Sequence, residues 1–226
     1  MNLLKKFSPS RPISDYSKVQ AFYSNLIRGS KLQLKNKRIA SKLYLDIGCG
    51  PNIHNEFIGL DYNWKPGLDL CWDITQGIPI QDNSLLGVYT EHCIEHISYG
   101  DVCELLEEIK RILKPEGTLR IIVPDAELYL DLYMKGRSGE KVKFPYGTPA
   151  YKSLNTEKTP MMEINQVFRG HGHQFAYDYL TLEAMLQTAG FVSIKKESFR
   201  CGRDRTLLID SEHRACESLY VEACAP

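Results

Sequence analysis

Residues 43–52 read LYLDIGCGPN, an apolar run that leads directly into a glycine-rich turn. The apolar residues around Asp46 predict a buried strand. Gly48 and Gly50 then allow the backbone to turn tightly and to approach a ligand where a Cβ atom would clash. Ligands of doubly wound α/β sheets bind at the carboxyl ends of such strands. This stretch therefore predicts an α/β fold with a binding turn after its first strand.

Six further strand patterns follow the first one. Short apolar runs predict them, and helical patterns separate several of them, as expected for a mostly parallel sheet that is covered by helices. The seven predicted strands lie within KLYLDIG, EFIGLDY, GLDLCWDI, LLGVYTE, TLRIIVPD, FVSIKKESF and SLYVEAC.

Two helices can be predicted with their ends. In residues 101–117, the apolar residues Leu105, Leu106, Ile109, Ile112 and Leu113 recur at helical spacing. We expect Asp101 to cap this helix and Pro115 with Gly117 to stop it. In residues 181–191, TLEAMLQTAGF, we expect Thr181 as the N-cap and Gly190 at the carboxyl end.

The first 42 residues differ in charge from the rest of the chain. They hold ten Lys or Arg residues and one acid, Asp15, whereas residues 43–226 hold 18 basic and 27 acidic residues. Residues 14–28 show an amphipathic helical pattern that Gly29 ends. We therefore expect a basic helical arm, residues 1–42, that packs on an acidic domain, residues 43–226. A basic arm is also suited to an anionic partner or a membrane surface.

Residues 126–178 interrupt the alternation of strands and helices. A short helix after Asp125, ending at Gly136, leads into a loop-rich stretch that is unusual for its aromatic residues. We interpret this segment as an inserted lid. Its aromatic side chains either pack the lid or stack on a substrate; they are Phe144, Tyr146, Tyr151, Phe168 and Phe175.

Composition limits the classes of protein to consider. The chain has 226 residues, of which 43% are hydrophobic and 25% charged, as in ordinary globular domains. No run approaches the roughly 18 apolar residues of a membrane span, and the start MNLLKKFSPSRP has no secretory apolar region. The seven cysteines include no C-x-x-C pair, which predicts free thiols, a reducing cytoplasmic location and no structural zinc. We assign no metal ligands.

Two further acids end predicted strands. Asp61 ends the second strand, where a carboxylate can bind ribose hydroxyls, and Asp73 ends the third, where it can accept an adenine amine. With the opening turn, this ordered set resembles the class I S-adenosylmethionine-dependent methyltransferases, over about residues 43–126 and 173–224. The resemblance implies a Rossmann-like, seven-stranded, mostly parallel sheet with helices on both faces and the last strand antiparallel.

The resemblance also implies S-adenosyl-L-methionine as the cofactor. The positions that match cofactor-binding residues of the family are Asp46, Gly48, Cys49, Gly50, Asp61, Tyr62, Asp73, Ile74 and Glu91. Two features depart from the family: Leu86 stands where many relatives carry Asp, and residues 51–58 are too few for a helical crossover, which takes at least about 10–12 residues. We therefore expect the first helix to be one turn or absent, as in a small subset of relatives with LGCGPN, often associated with polysaccharide or cell-surface biosynthesis.

The stretch TEHCIEHIS, residues 90–98, contains H-x-x-E-H, a zinc peptidase signature when it lies on a helix. A peptidase would leave the glycine turn and the strand-end acids without a function, and no third ligand is singled out by spacing. We therefore place this stretch at the exit of the fourth strand. His92 then faces the active site, and His96 supports the following helix.

Methyl transfer to an oxygen acceptor needs a base that removes the hydroxyl proton. The candidate catalytic residues are His92, His171 and His173. We predict O-methylation of a small molecule, a sugar, or a glycan or lipid-linked intermediate. RNA or protein methylation is an alternative, although the acidic domain disfavours nucleic acid. A non-catalytic cofactor-binding subunit and a zinc hydrolase are the remaining alternatives.

Overall fold

The computed structural model describes residues 18–35, 37–145 and 159–226. Within these residues the chain forms seven β-strands and six α-helices. The strands are β1 (Tyr44–Ile47), β2 (Phe57–Asp61), β3 (Leu70–Cys71), β4 (Leu85–Glu91), β5 (Leu113–Pro124), β6 (Val192–Glu197) and β7 (Ser218–Cys224). The helices are α1 (Lys18–Ile27), α2 (Lys37–Ala40), α3 (Tyr99–Ile112), α4 (Ala126–Arg137), α5 (Pro160–Arg169) and α6 (Tyr179–Ala189).

The strands form one sheet in the order β3-β2-β1-β4-β5-β7-β6. Strands β1 to β5 pair in parallel, and β7 runs antiparallel to both β5 and β6. This arrangement confirms the predicted seven-stranded, mostly parallel sheet. Since the strand order reverses beside β1, the carboxyl ends of β1 and β4 border the crevice where such sheets bind ligands.

The core lies between the sheet and helices α3 and α6. Every residue of β2 is buried, as expected for a central strand covered on both faces. The predicted apolar side of α3 is buried against the sheet, and α6 adds Leu182, Met185 and Leu186 beside it. Between β1 and β2 the chain forms turns and no helix, which confirms the expected short crossover.

Three predicted helix ends were wrong. Ser98 caps α3: its Oγ accepts a hydrogen bond from the Asp101 amide and donates to the Asp101 carboxylate. Helix α3 ends at Ile112 and passes directly into β5, so Pro115 and Gly117 lie in the strand. Asp178, not Thr181, caps α6 by accepting from the Thr181 amide. At both amino ends, a residue three positions earlier accepts the capping hydrogen bond. At the carboxyl end of α3, strand pairing begins before the predicted stop. The local sequence pattern was therefore insufficient to place these ends.

The described part of the basic arm packs on the domain at the β2–β3 end of the sheet. Ser24 of α1 is fully buried, and its Oγ accepts a hydrogen bond from the Trp64 amide at 2.7 Å. The side chain of Gln33 accepts from the amide of Cys71 and donates to its carbonyl, which covers the edge strand β3. No helix among the described residues is long and apolar enough to span a membrane.

Helices α4 and α5 pack against each other beyond the sheet. Asp125 caps α4 as the sequence indicates, and the helix ends at Arg137, one residue past the predicted end. Tyr129 and Phe144 stack at 6.2 Å and form a small apolar cluster with Ile164. Phe168 packs against this cluster, whereas Phe175 packs on Tyr99 of α3 and on Tyr177 beside the main core. Tyr146 and Tyr151 lie outside the described residues.

Candidate functional site

The glycine turn after β1 requires glycine for two reasons. Gly48 has φ +75° and Gly50 φ +53°, in the left-handed region that side chains disfavour. A Cβ atom at Gly48 would also lie 2.6 Å from Sγ of Cys93, within the atoms' van der Waals contact. The amides of Gly48 and Cys49 both donate to the carbonyl of Leu60, at 2.8 and 3.2 Å. The turn is thus fixed to β2 on one side and to the exit of β4 on the other.

Asp61 joins this turn to the end of β2. Its Oδ2 accepts from the Gly50 amide at 3.0 Å and from Nζ of Lys65 at 3.2 Å, while Oδ1 accepts from the Asn63 amide at 2.8 Å. A carboxylate has about four lone-pair positions, so at least one remains for another donor. Lys65 is buried although it is a lysine. The sequence did not indicate it, because it lies in a loop that no motif covers.

Asp46 is buried inside β1, close to other acids. Burial raises the pKa of its carboxyl to about 8, and the negative charges of Glu91 and Asp61 add to the increase, against the charge of Lys65. The carboxyl is therefore protonated at neutral pH until a cation approaches it. When it ionises, this carboxyl would attract a positively charged ligand at the carboxyl end of the sheet.

The remaining predicted cofactor residues surround the same edge. Asp73 accepts from the amide and hydroxyl of Thr75 and caps the turn that contains Ile74. The guanidinium of Arg28 lies 3.4 Å above the ring of Tyr62, so the arm covers this residue. Cys49 is buried, which raises the pKa of its thiol.

Glu91 lies at the end of β4 and is held by a distant loop. Its two carboxylate oxygens accept from the amide and the hydroxyl of Ser211, at 3.0 and 2.5 Å. These bonds join β4 to the chain before β7, and they orient the carboxylate from 120 positions away in sequence. Sequence reasoning identified Glu91 and missed Ser211, because the contact depends on how the sheet closes.

His92 follows Glu91 and has an unusual backbone conformation. Its φ is +48°, and its amide donates to the carbonyl of Ile122 on β5. The ring is nearly inaccessible: Nε2 lies 2.8 Å from the hydroxyl of Ser218, and Nδ1 lies 3.5 Å from Oε1 of Glu95. Burial lowers the pKa of the imidazole to about 2, with a smaller effect from Arg214 and neighbouring histidines, so the resting ring is neutral.

A second carboxyl group lies near the other ring nitrogen of this histidine. Oε1 of Glu217 is 3.9 Å from Nε2 of His92, and Tyr129 donates to its Oε2 at 2.8 Å. Arg214 lies 3.9 Å from Glu217. Asp210, in the same loop before β7, pairs with Arg120 instead.

The two other candidate histidines have different surroundings. His173 is largely buried, its Nδ1 lies 2.5 Å from the carbonyl of Val167, and burial lowers its pKa. His171 is exposed in a left-handed turn with φ +55°, and its Nε2 lies 3.1 Å from Nε2 of Gln166. His173 therefore belongs with His92 and Glu95, whereas His171 lies at the surface beside them.

Residues 90–98 do not form the helix that a zinc peptidase signature requires. Glu91 ends β4, His92 has a left-handed backbone, and only Ile94–His96 form a single 3-10 turn before α3. The stretch is the exit of the fourth strand, as the sequence analysis placed it. Glu95 lies at the centre of the histidines, with its Oε1 near ring nitrogens of His92, His96 and His173.

Comparison with known proteins finds one family model that matches part of the chain. The profile of the methyltransferase domain family matches residues 66–121. Among solved structures, an S-adenosylmethionine-dependent methyltransferase from Archaeoglobus fulgidus aligns over 90% of this chain and 98% of its own, with 18% identity and a TM-score of 0.48. One from Mesorhizobium loti aligns over 83% and 92%, with 16% identity and a TM-score of 0.48. No curated protein has a significant sequence match to the chain.

Proposed function

We propose that this chain is a class I S-adenosylmethionine-dependent methyltransferase, that it methylates a hydroxyl oxygen and that His92 receives the hydroxyl proton. The observation that carries the proposal is the neutral, anchored ring of His92 between two buried carboxylates, one residue after Glu91. An oxygen acceptor requires such a proton acceptor near the reacting atoms.

The residues at the carboxyl ends of β1 to β3 fit the cofactor. The left-handed glycine turn leaves backbone free where a Cβ atom would intrude. Asp46 would lie toward the positive charge, Asp61 would accept from the ribose hydroxyls, and Asp73 would accept from the adenine amine. When bound, the sulfonium supplies an activated methyl group.

Tyr62 and Ile74 would flank the adenine, and Glu91 would border the methyl group's side of the site. The carboxyl of Asp46 supports placing the sulfonium beside it, because a nearby cation would favour the ionised form of this acid. Glu91, whose carboxylate accepts from Ser211, and His92, whose ring contacts Ser218, are consecutive residues at the end of β4. The cofactor and the proton acceptor would therefore lie next to each other.

His92 is held in one orientation, but burial lowers the pKa of its resting ring to about 2, so it would receive a proton only when the bound acceptor and an ionised neighbouring carboxylate raise that pKa. Ser218 bonds Nε2, and its hydroxyl is a route by which a proton from the acceptor can reach the ring. The imidazolium that forms would lie 3.5 Å from Oε1 of Glu95 and 3.9 Å from Oε1 of Glu217; burial raises the pKa of both carboxyls, so they would stabilise its charge only after they lose their own protons. His173 and His171 are less suited, the first because Val167 holds its Nδ1 and the second because it is exposed.

The acceptor class we propose is a hydroxyl of a small molecule, a sugar, or a glycan or lipid-linked intermediate. The test is transfer of labelled methyl from S-adenosylmethionine to free sugars, nucleotide sugars, polyprenyl-phosphate sugars, RNA and protein. Mass spectrometry and NMR of the product then identify the methylated atom. Methylation of nitrogen, or of RNA or protein alone, would contradict the proposal.

His92→Gln tests the proton acceptor. We expect kcat to fall by about 10²–10⁴-fold, the usual size of a general-base contribution, while the Kd of S-adenosylhomocysteine stays within about twofold. His54→Gln is the matched control, since His54 lies in the loop before β2 and contacts Phe57. Unchanged turnover in His92→Gln would remove this residue from the mechanism.

A further inference from the structure

Glu95 has an environment that is costly for a carboxyl group. Its side chain is buried, and among the residues that the structure describes neither Oε1 nor Oε2 has a hydrogen-bond partner. A buried polar atom without a partner costs about 1–3 kcal/mol, and more when it is charged. The groups nearest to Oε1 are ring nitrogens of His92, His96 and His173, at 3.5, 3.9 and 3.9 Å. The arrangement therefore leaves room for a cation between acceptors.

His173 points a lone pair at this carboxylate. Its Nδ1 lies 2.5 Å from the carbonyl of Val167 and must carry the proton in order to donate to it. In the neutral ring Nε2 is then an acceptor, and it faces Oε1 of Glu95 at 3.9 Å. Histidines that bind metals usually donate their other ring nitrogen to a carbonyl or carboxylate in this way.

His96 completes a set of three donors. Its ring lies 4.7 Å from that of His173 at 81°, so both Nε2 atoms approach Oε1 of Glu95. Among the residues that the structure describes, the three ligand atoms lie within 4.8 Å of one another. Donors around a tetrahedral ion with bonds of about 2.1 Å lie about 3.4 Å apart. Small side-chain rotations would thus bring the three into coordination.

The backbone already holds these ligands together. The carbonyl of Glu95 accepts from the amide of Gln174 at 2.7 Å, and Nε2 of Gln174 donates to the carbonyl of His96 at 2.7 Å. These bonds join the exit of β4 to the loop of His173 across 78 positions. Side chains on two segments that are fixed to each other lose little freedom when they bind an ion.

We propose that Glu95, His96 and His173 bind one divalent transition-metal ion of the zinc class. Two imidazoles and one carboxylate are the donors of open zinc sites, which keep a fourth position for water or a substrate oxygen. About one third of the His96 side chain is exposed, so the ion and a fourth ligand can enter on that side. The set differs from the H-x-x-E-H pattern, because His92 is not a ligand and Glu95 is. It also departs from the expectation that the chain has no metal ligands.

The test is zinc binding by full-length protein that has been treated with a chelator and dialysed. We expect one zinc per chain by calorimetry and elemental analysis, and cobalt substitution should give the visible absorption of a tetrahedral site. Glu95→Gln, His96→Ala and His173→Ala should each weaken zinc binding by at least about 100-fold, since loss of outer-shell partners alone costs about 10–100-fold. His54→Ala should bind as the wild type does.

His96→Ala is the ligand variant that we expect to fold, because the His96 side chain is partly exposed and its removal costs little packing. Circular dichroism should show that this variant is folded, and zinc should raise the Tm of the wild type and not that of His96→Ala. The proposal is overturned if the wild type binds no stoichiometric zinc, or if the folded ligand variants bind zinc as tightly as it does. A proton shared between Glu95 and the histidines would then account for the cluster. These readouts do not require activity, so they are independent of the acceptor.

Discussion

The guanidinium of Arg120 donates to both carboxylate oxygens of Asp210, at 2.8 and 2.5 Å, and neither side chain is exposed. Arg120 lies on β5, and Asp210 lies in the loop between β6 and β7. A second carboxylate, that of Glu222 on β7, accepts from the same guanidinium at 2.7 Å. The loop that carries Ser211, and through it orients Glu91, is thus fixed to the centre of the sheet.

We expect Arg120→Met to reduce the free energy of unfolding by about 3–5 kcal/mol, because it leaves two buried carboxylates without their cation. Urea unfolding followed by circular dichroism measures this change. Glu127→Gln is the control: its ion pair with Lys196 is exposed on both sides and should contribute less than about 1 kcal/mol. Equal losses in both variants would show that the buried pair does not stabilise the fold.

Gly48→Ala should both destabilise the protein and weaken cofactor binding. An alanine at a φ of +75° loses about 1–2 kcal/mol of unfolding free energy. Its Cβ would also clash with Cys93, and overpacking of this kind costs about 1–3 kcal/mol. Together these predict a loss of about 2–5 kcal/mol in unfolding free energy, and calorimetry with S-adenosylmethionine should show a weaker Kd. Gly100→Ala is the control, because α3 leaves open space at that position. A cofactor Kd equal to that of the wild type would exclude the turn as a binding element.

The sequence alone was sufficient to predict those features of the fold that depend on neighbouring residues. Apolar runs such as that around Leu45 predicted all seven strands, and the glycines predicted the turn, because period and backbone freedom are properties of neighbouring residues. Contacts that join distant segments were not predictable in this way. Lys65 on Asp61 and the pairing of Glu95 with His173 depend on loop conformations that no periodic pattern specifies.

Ser24→Ala should loosen the basic arm. The variant leaves the partly buried amide of Trp64 without its acceptor, which costs about 1 kcal/mol. We expect faster cleavage by trypsin after Arg28, since α1 would open from the domain more often. Ser30→Ala is the control, because within the described part of the chain the Ser30 hydroxyl accepts only a long hydrogen bond, 3.4 Å, from the Leu32 amide. Equal cleavage rates in the two variants would show that the Ser24 hydroxyl does not hold the arm.

The raised pKa of Asp46 predicts how stability depends on pH. Because the folded protein holds this proton up to about pH 8 and an unfolded aspartate releases it near 3.8, the folded state binds more protons between these values. The free energy of unfolding should therefore decrease as pH rises through this window. In Asp46→Asn this contribution is absent, so the difference between the two pH profiles isolates it.

The same carboxyl predicts that S-adenosylmethionine binds more tightly as pH rises toward about 8. Ionised Asp46 attracts the sulfonium, whereas the protonated form does not, so affinity should increase by up to about tenfold per pH unit below that value. Calorimetry from pH 6 to 9 measures the slope. Asp46→Asn should keep only the slope that the ligand itself contributes, and S-adenosylhomocysteine, which lacks the sulfonium charge, should show a smaller dependence on Asp46. If the wild type and Asp46→Asn show the same slope for both ligands, Asp46 does not contact the sulfonium. Lys65 would then be the positive charge near the Asp46 carboxyl.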